Sequence, residues 1–264
     1  MDIAKLNTIL DINSYFAYEI LSNFTDDVLI QLERAENYRH LFTPIGLNAI
    51  YQLRFSKLPL TEEQFSKIRE LQRETNISWK NIYLILQPIL QLADMNMYDE
   101  TDLSSEDMLV KERLMNKLCS YIADNDDLLP LKLMSVFNLK LGDYRFELLN
   151  KALVRKARNT INYIVNKLNY DIVFDDVNTS IFARDLEWFK YILSLNTEEP
   201  SVNDYTGALL TAFGEDAMDI VDYILEEFDF PINADTRQEF QLMPGLEDYV
   251  ISTLTDLGKE ANIM

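Results

Sequence analysis

Few side chains in this sequence of 264 residues could do covalent or metal chemistry. There is one histidine, His40, and one cysteine, Cys119. A thiol so far along the chain from the lone imidazole lacks the base that would activate it. Two such ligands cannot build a zinc cage. Free cysteine is among the most buried residue types, so Cys119 reads as packing. His40 is assigned no chemistry. Carboxylates are the abundant reactive group. The pairs Asp126–Asp127, Asp175–Asp176 and Glu198–Glu199 could offer a general acid beside a base. Among 44 acidic residues, adjacency singles nothing out. The stretch from Asp94 starts like a calcium loop, with Asp94 and Asn96. It then places Tyr98 at the fifth ligand position, Asp99 where glycine makes the turn, and Ser105 where a bidentate Glu closes the site. The chain has no Gly-rich phosphate loop, nucleophile elbow or HExxH. No catalytic residue, cofactor or metal is expected, and the chain is not expected to be an enzyme.

The elements are expected to be helical. Hydrophobic content is 48%, with 14 Phe and 14 Tyr, enough for a core. Only 6 Gly and 7 Pro argue for helices joined by short turns. One cysteine excludes an internal disulfide framework and fits a reducing compartment. The longest weakly polar run, 81–93, is interrupted by Gln87, Pro88 and Gln91 and is too short for a bilayer. No targeting segment is visible in the first residues, so a soluble intracellular protein is expected. The net charge of −20 argues against direct nucleic-acid binding. Residues 131–170 carry 8 Lys or Arg against 2 Asp or Glu, whereas 171–264 carry 4 against 21. Such a field steers a basic partner without identifying one.

Three parts follow from the pattern: a helical domain over 1–93, an acidic linker or loop over 94–107, and a helical remainder over 108–264. Met108–Ile122 reads as an amphipathic helix with Leu109, Leu114, Leu118, Tyr121 and Ile122 on its apolar face. The second half repeats itself. Tyr163–Ile164, Tyr191–Ile192 and Tyr223–Ile224 hold the same place in three helical segments about 28 and 32 residues apart, with Leu133–Met134 as an earlier copy. One such helix cannot bury its apolar face alone, whereas stacked copies can. In the third segment Glu215, Asp219, Asp222 and Glu226 share a face. That stripe reads as a solvated face, or as a contact surface for a basic partner. Small residues among leucines in Tyr205–Asp216, followed by Asp219–Asn233, resemble the two helices of an ankyrin repeat. From about Asp126 onward the chain resembles degenerate ankyrin repeats, without the Thr-Pro-Leu-His start and without the glycine that closes each helix.

The first ninety residues read as three small helices and a fourth. Thr25 or Asp26 can cap the first, which carries Val28, Leu29 and Leu32. Tyr38, Leu41 and Phe42 lie on the second, which Pro44 ends. Ile50, Leu53 and Leu58 or Phe55 lie on the third. A helix opening at Ser78–Trp79 then places Trp79, Ile82, Tyr83 and Leu86 on one stripe. The succession Phe24-Thr25-Asp26-Asp27-Val28-Leu29, Asn37-Tyr38-Arg39-His40-Leu41 and Tyr51-Gln52-Leu53-Arg54-Phe55, with Ser78-Trp79-Lys80-Asn81-Ile82-Tyr83 beyond, resembles the F-box-like modules of large DNA viruses. It departs from them at Thr25, where proline is usual, at Phe24, where leucine is usual, and in lacking a tryptophan in the third helix.

The expected fold class is all-α: a small F-box-like helical domain plus a stacked helical-hairpin, ankyrin-like array. The resemblance implies an adaptor that joins a target protein to a cullin–RING ubiquitin ligase through the Skp adaptor, in the cytoplasm of an infected host cell. It implies Phe24, Val28, Leu29 and Leu32 as apolar anchors in a helix-in-groove contact, with Asp27 at its rim. Trp188, Asp204 and Tyr205 are the candidates on the repeat surface. The alternative left open is an acidic decoy or inhibitor that occupies a basic surface of a partner protein.

Overall fold

A computed structural model describes residues 14–95, 104–228, 231–259 and 262–263. Among these the chain is all-α, with fifteen α-helices and no strands. It forms two compact units, Met1–Leu114 with Leu129–Lys140, and Met115–Leu128 with Leu141–Met264. Most of the expected linker lies outside the described residues, as does most of the loop compared with a calcium site. No helix among the described residues is long and apolar enough to cross a membrane.

The first unit contains α1 (Ser14–Leu21), α2 (Asp26–Arg34), a 3-10 helix (Glu36–Leu41), α3 (Pro44–Ser56), α4 (Glu62–Thr75), α5 (Trp79–Met95) and α7 (Leu129–Val136). Its axis is α3, which packs on α1 and α5, and α7 packs on α4 and α5. Proline at the first position and Thr43, which accepts the Gly46 N–H at 3.2 Å, fix where α3 starts. Ile50 and Phe55 are fully buried beneath it. Gly46 passes so close to the preceding turn that a Cβ there would sit 2.0 Å from the Leu41 carbonyl oxygen. The Trp79 ring stacks on Phe55 at 4.6 Å, and its backbone N–H donates to Asn48 Oδ1 at 2.8 Å. Trp79, Ile82 and Leu86 are buried and Tyr83 is half-buried, so the stripe read from the sequence is the one that meets α3. Asn81 is exposed and Lys80 half-exposed on the other side.

Two local expectations are corrected here. Neither capping candidate caps α2: Thr25 stands at the N-cap without a side-chain cap bond, and the Asp26 carboxylate turns to Arg54 and Tyr51. Residues 36–41 form a 3-10 turn rather than an α-helix, and it still buries Tyr38 and Leu41. Helices α1 and α4 were not anticipated. The start of α4 is a capping box between Thr61 and Gln64.

Helix α6 (Ser105–Asn125) runs from the first unit into the second. It buries Met115, Leu118, Cys119, Ile122 and Ala123. Leu118 and Ile122 are buried as expected, whereas Leu109 is 60% exposed and Tyr121 also faces out, with Met115, Cys119 and Ala123 completing the buried face in their place. The second unit continues through α8 (Tyr144–Arg155), α9 (Arg158–Leu168), α10 (Phe174–Ser180) with a 3-10 turn (Ile181–Ala183), α11 (Leu186–Leu195), α12 (Val202–Gly214), α13 (Met218–Glu227), α14 (Ala234–Phe240) and α15 (Leu246–Asp256). Consecutive helices pair as four hairpins. The first helices form one packed row, α8, α10, α12, α14; α11, α13 and α15 form the other.

Each hairpin turns on one residue with a left-handed backbone: Lys156 (φ 58°), Arg184 (49°), Asp216 (58°) and Gly245 (88°). Counted from the first three of these, the core repeats. Seven residues before stand Leu149, Val177 and Leu209; four before, Ala152, Ser180 and Ala212. Five after stand Ile161, Phe189 and Val221; eight after, Ile164, Ile192 and Ile224. None of the twelve is more than 1% exposed. The small residues of the second set, Ala152, Ser180 and Ala212, let the paired helices approach. The isoleucines of the Tyr–Ile pairs supply the largest rung, and each such rung contributes about 2–5 kcal/mol against truncation to alanine. The fourth hairpin keeps Val250 in register but replaces the rest with Phe240, Leu246 and Leu254.

Candidate functional site

Two of the three acid pairs that could do chemistry each supply one cap. Asp126, at the end of α6, accepts the backbone N–H groups of Asn159 and Thr160 at 3.0 and 2.9 Å. It thereby satisfies the free amides at the start of α9. Asp176 is buried and accepts the Val173 N–H at 3.0 Å and the Tyr170 hydroxyl at 3.1 Å. Burial raises its carboxyl above the ordinary range, and those two bonds partly oppose the rise. The same contact, with burial first, pushes the Tyr170 phenol up to about 12. Glu198 and Glu199 lie exposed in the loop before α12. Burial pushes the Cys119 thiol up to about 11, the opposite of an activated nucleophile. His40 is exposed. Among the described residues no three His, Cys, Asp or Glu side chains gather as metal ligands. A groove runs along α4, lined by residues that include Phe65, Ser66, Arg69, Glu70 and Arg73.

The surface features that remain are apolar. In the first unit Val28 is 38% exposed, with Phe24 and Leu32 half-buried four residues to either side. Val28 and Leu32 share a face of α2. Asp27 is exposed beside them, and Ile45 at the start of α3 is 81% exposed. Leu29 differs from its neighbours: it is only 3% exposed, so it serves the fold and is not free to dock.

Behind α2 lies the most elaborate polar contact of this unit. Arg54 is buried, pairs with Asp26, and donates to the Phe24 carbonyl oxygen at 2.7 Å. Its guanidinium lies over the rings of Tyr51 and Tyr83 at 5.2 and 4.9 Å. Tyr51 also donates to Asp26, and burial followed by that carboxylate pushes its phenol up to about 12. Arg54 therefore fixes the residues that carry the exposed stripe, from Phe24 to the first turn of α2. In the sequence Arg54 is only one position of the stretch 51–55; its role comes from the packing.

Of the three residues expected on the repeat surface, Trp188 is buried, and Asp204 and Tyr205 are half-buried with structural partners of their own. Trp188 is buried, and its indole N–H donates to the Leu153 carbonyl oxygen of the previous hairpin at 2.7 Å. Asp204 closes a capping box with Ser201 at the start of α12. Tyr205 packs its ring between Phe174 and Phe228 at 5.7 and 4.6 Å. The acidic stripe divides. Glu215 pairs with Arg184 at 2.8 Å and Asp222 accepts the Tyr249 hydroxyl at 2.6 Å, so both tie adjacent hairpins together. Asp219 and Glu226 stay exposed.

No family model matches the chain, and neither a curated protein nor a solved structure matches it.

Proposed function

We propose that the protein is a non-enzymatic protein–protein adaptor, whose first unit docks on the Skp adaptor of a cullin–RING ubiquitin ligase and whose hairpin array holds a target protein. The observation that carries this reading is the apolar stripe of Phe24, Val28 and Leu32 left partly open on a small helical unit, with Ile45 open beside the next helix start. An amphipathic helix face left uncovered is what a helix-in-groove contact requires. The order of motifs resembling an F-box supports the choice of partner, and the stacked hairpins support the second role, since such arrays present extended surfaces. In this reading the protein works in the cytoplasm, that of an infected host cell if it is viral.

Purified Skp adaptor tests the proposal directly. Capture by the wild-type chain should be lost in Val28→Asp combined with Ile45→Asp, with helical content and melting temperature unchanged, because both side chains already meet water. No capture by the wild type, or unchanged capture by the double variant, refutes it. The acidic-decoy reading is favoured instead if binding to partners collapses between low and moderate salt and ignores Val28 and Ile45.

A further inference from the structure

One row of side chains is repeated along the array without serving its core. Two residues before the turn residues stand Val154, Phe182 and Gly214. Val154 is 37% exposed and Phe182 49%. Helix α8 packs on the 181–183 turn, and that turn packs on α12, so the three positions are neighbours. The third is filled from the next hairpin: the Met243 methyl group lies 2.8 Å from where a Gly214 Cβ would stand. Beside Met243, Leu242 is 78% exposed. Single exposed apolar residues are ordinary on any protein. Here equivalent positions of successive hairpins place them in one line.

The charges along this line are not balanced. Three of its cations are answered, Arg155 by Asp124 at 3.0 Å, Lys156 by Asp185 at 2.9 Å and Arg184 by Glu215 at 2.8 Å, while Arg158, exposed at the start of α9, lies over the Tyr191 ring with no ion pair among the described residues. Asp216, Glu239 and Asp248 are exposed, and no ion pair among the described residues reaches them. Toward the Met243–Leu242 end the uncompensated charge is negative.

We infer that the Val154–Phe182–Met243–Leu242 row binds an extended, basic segment of a partner protein that carries a bulky apolar residue at every third position. The spacing follows from the stack. Packed helices stand about 8–10 Å apart. A polyproline-II strand rises about 3.1 Å per residue with three residues per turn, so every third side chain faces the same way at about 9 Å intervals. Lysine or arginine at the intervening positions meets the unpaired acids. The inference rests on the reading of the array as a target-holding surface and is independent of the first unit's docking.

Three labelled synthetic peptides test it against the full-length protein by fluorescence anisotropy: repeats of Leu-Lys-Lys, of Ser-Lys-Lys and of Leu-Glu-Glu. The leucine–lysine peptide should bind about tenfold or more tightly than the serine–lysine one, and the glutamate peptide should not bind. Phe182→Ser and Leu242→Ser should each weaken the leucine–lysine peptide about fivefold or more, with the melting temperature unchanged. Asp216→Lys should weaken it too and flatten its salt dependence; Lys156 already holds the equivalent left-handed position. The inference is overturned if the leucine–lysine peptide fails to bind or binds no better than Ser-Lys-Lys. It is equally overturned if the glutamate peptide binds as well, or if the serine variants bind unchanged. Skp capture is measured separately through Val28 and Ile45, so either reading can fall while the other stands.

Discussion

The two units reach the same all-α class by different means. In the first, stability rests on contacts that occur once: the ring stack of Trp79 on Phe55, the Arg54–Asp26 pair under two tyrosine rings, and the close passage of Gly46 beside Leu41. In the second, the same rung recurs from hairpin to hairpin, and side chains near each turn tie it to the next. Lys156 reaches Asp185, Arg184 reaches Glu215, and Tyr191 reaches Asn162. A unit built on unique contacts has residues that nothing else replaces. A unit built on repetition spreads the same stabilisation over equivalent positions, and its stability approaches a sum over neighbours.

The largest effect should therefore come from the first unit. Trp79→Ala should cost about 3–5 kcal/mol, and Gly46→Ala a comparable amount, since the atom it would strike is backbone and cannot swing away. Denaturant titration followed by Trp188 fluorescence against far-ultraviolet circular dichroism would separate the units in Trp79→Ala; loss confined to the first unit is expected. In the array, Ile164→Ala, Ile192→Ala and Ile224→Ala should each cost about 2–5 kcal/mol and agree with one another within about 1 kcal/mol. A wide spread among the three would break the equivalence. Asp216→Gly should stabilise by about 0.5–1 kcal/mol, because a left-handed backbone suits glycine. Arg184→Gly should gain less, since it also gives up the exposed pair with Glu215.

The smallest effect is a pH dependence. The Lys156 ammonium and the Trp188 N–H hold the Asp185 carboxyl below its ordinary value. A folded value below the unfolded one adds stability that is present above the ordinary carboxylate range and is lost as pH falls through the folded value. Lys156→Met should remove part of that contribution at neutral pH. The array's acid unfolding would then be flatter with pH, starting from a lower stability. An unchanged acid-unfolding profile would show that this tie contributes nothing measurable.

What the sequence disclosed follows the same division. The Tyr–Ile pairs were legible because repetition makes a pattern visible in one chain, and Ile164, Ile192 and Ile224 proved to be its buried rungs. The Trp79 stripe was legible because four apolar side chains held helical spacing. The roles of Arg54 and Gly46 were not, because each depends on a partner brought near by the tertiary fold: Asp26 is 28 residues away from Arg54. Trp188 looked like a surface aromatic because nothing local reveals that its partner is a backbone carbonyl 35 residues earlier. The turn residues were hidden for another reason. A left-handed backbone favours glycine, and Lys156, Arg184 and Asp216 adopt it without one. The apolar row from Val154 to Leu242 became apparent only once those turns had set the register.

The equivalence of the hairpins is most directly tested by excising one register unit, residues 185–216, which joins Arg184 directly to Ala217 and so runs from one left-handed turn residue to the next. A deletion of equal length, 44–75, serves as its counterpart in the first unit. The stacked-repeat account predicts that the 185–216 deletion remains helical and cooperatively unfolding, while the 44–75 deletion loses the first unit. If removing 185–216 collapses the second unit as completely as removing 44–75 collapses the first, the hairpins are not equivalent and the array is a single closed bundle.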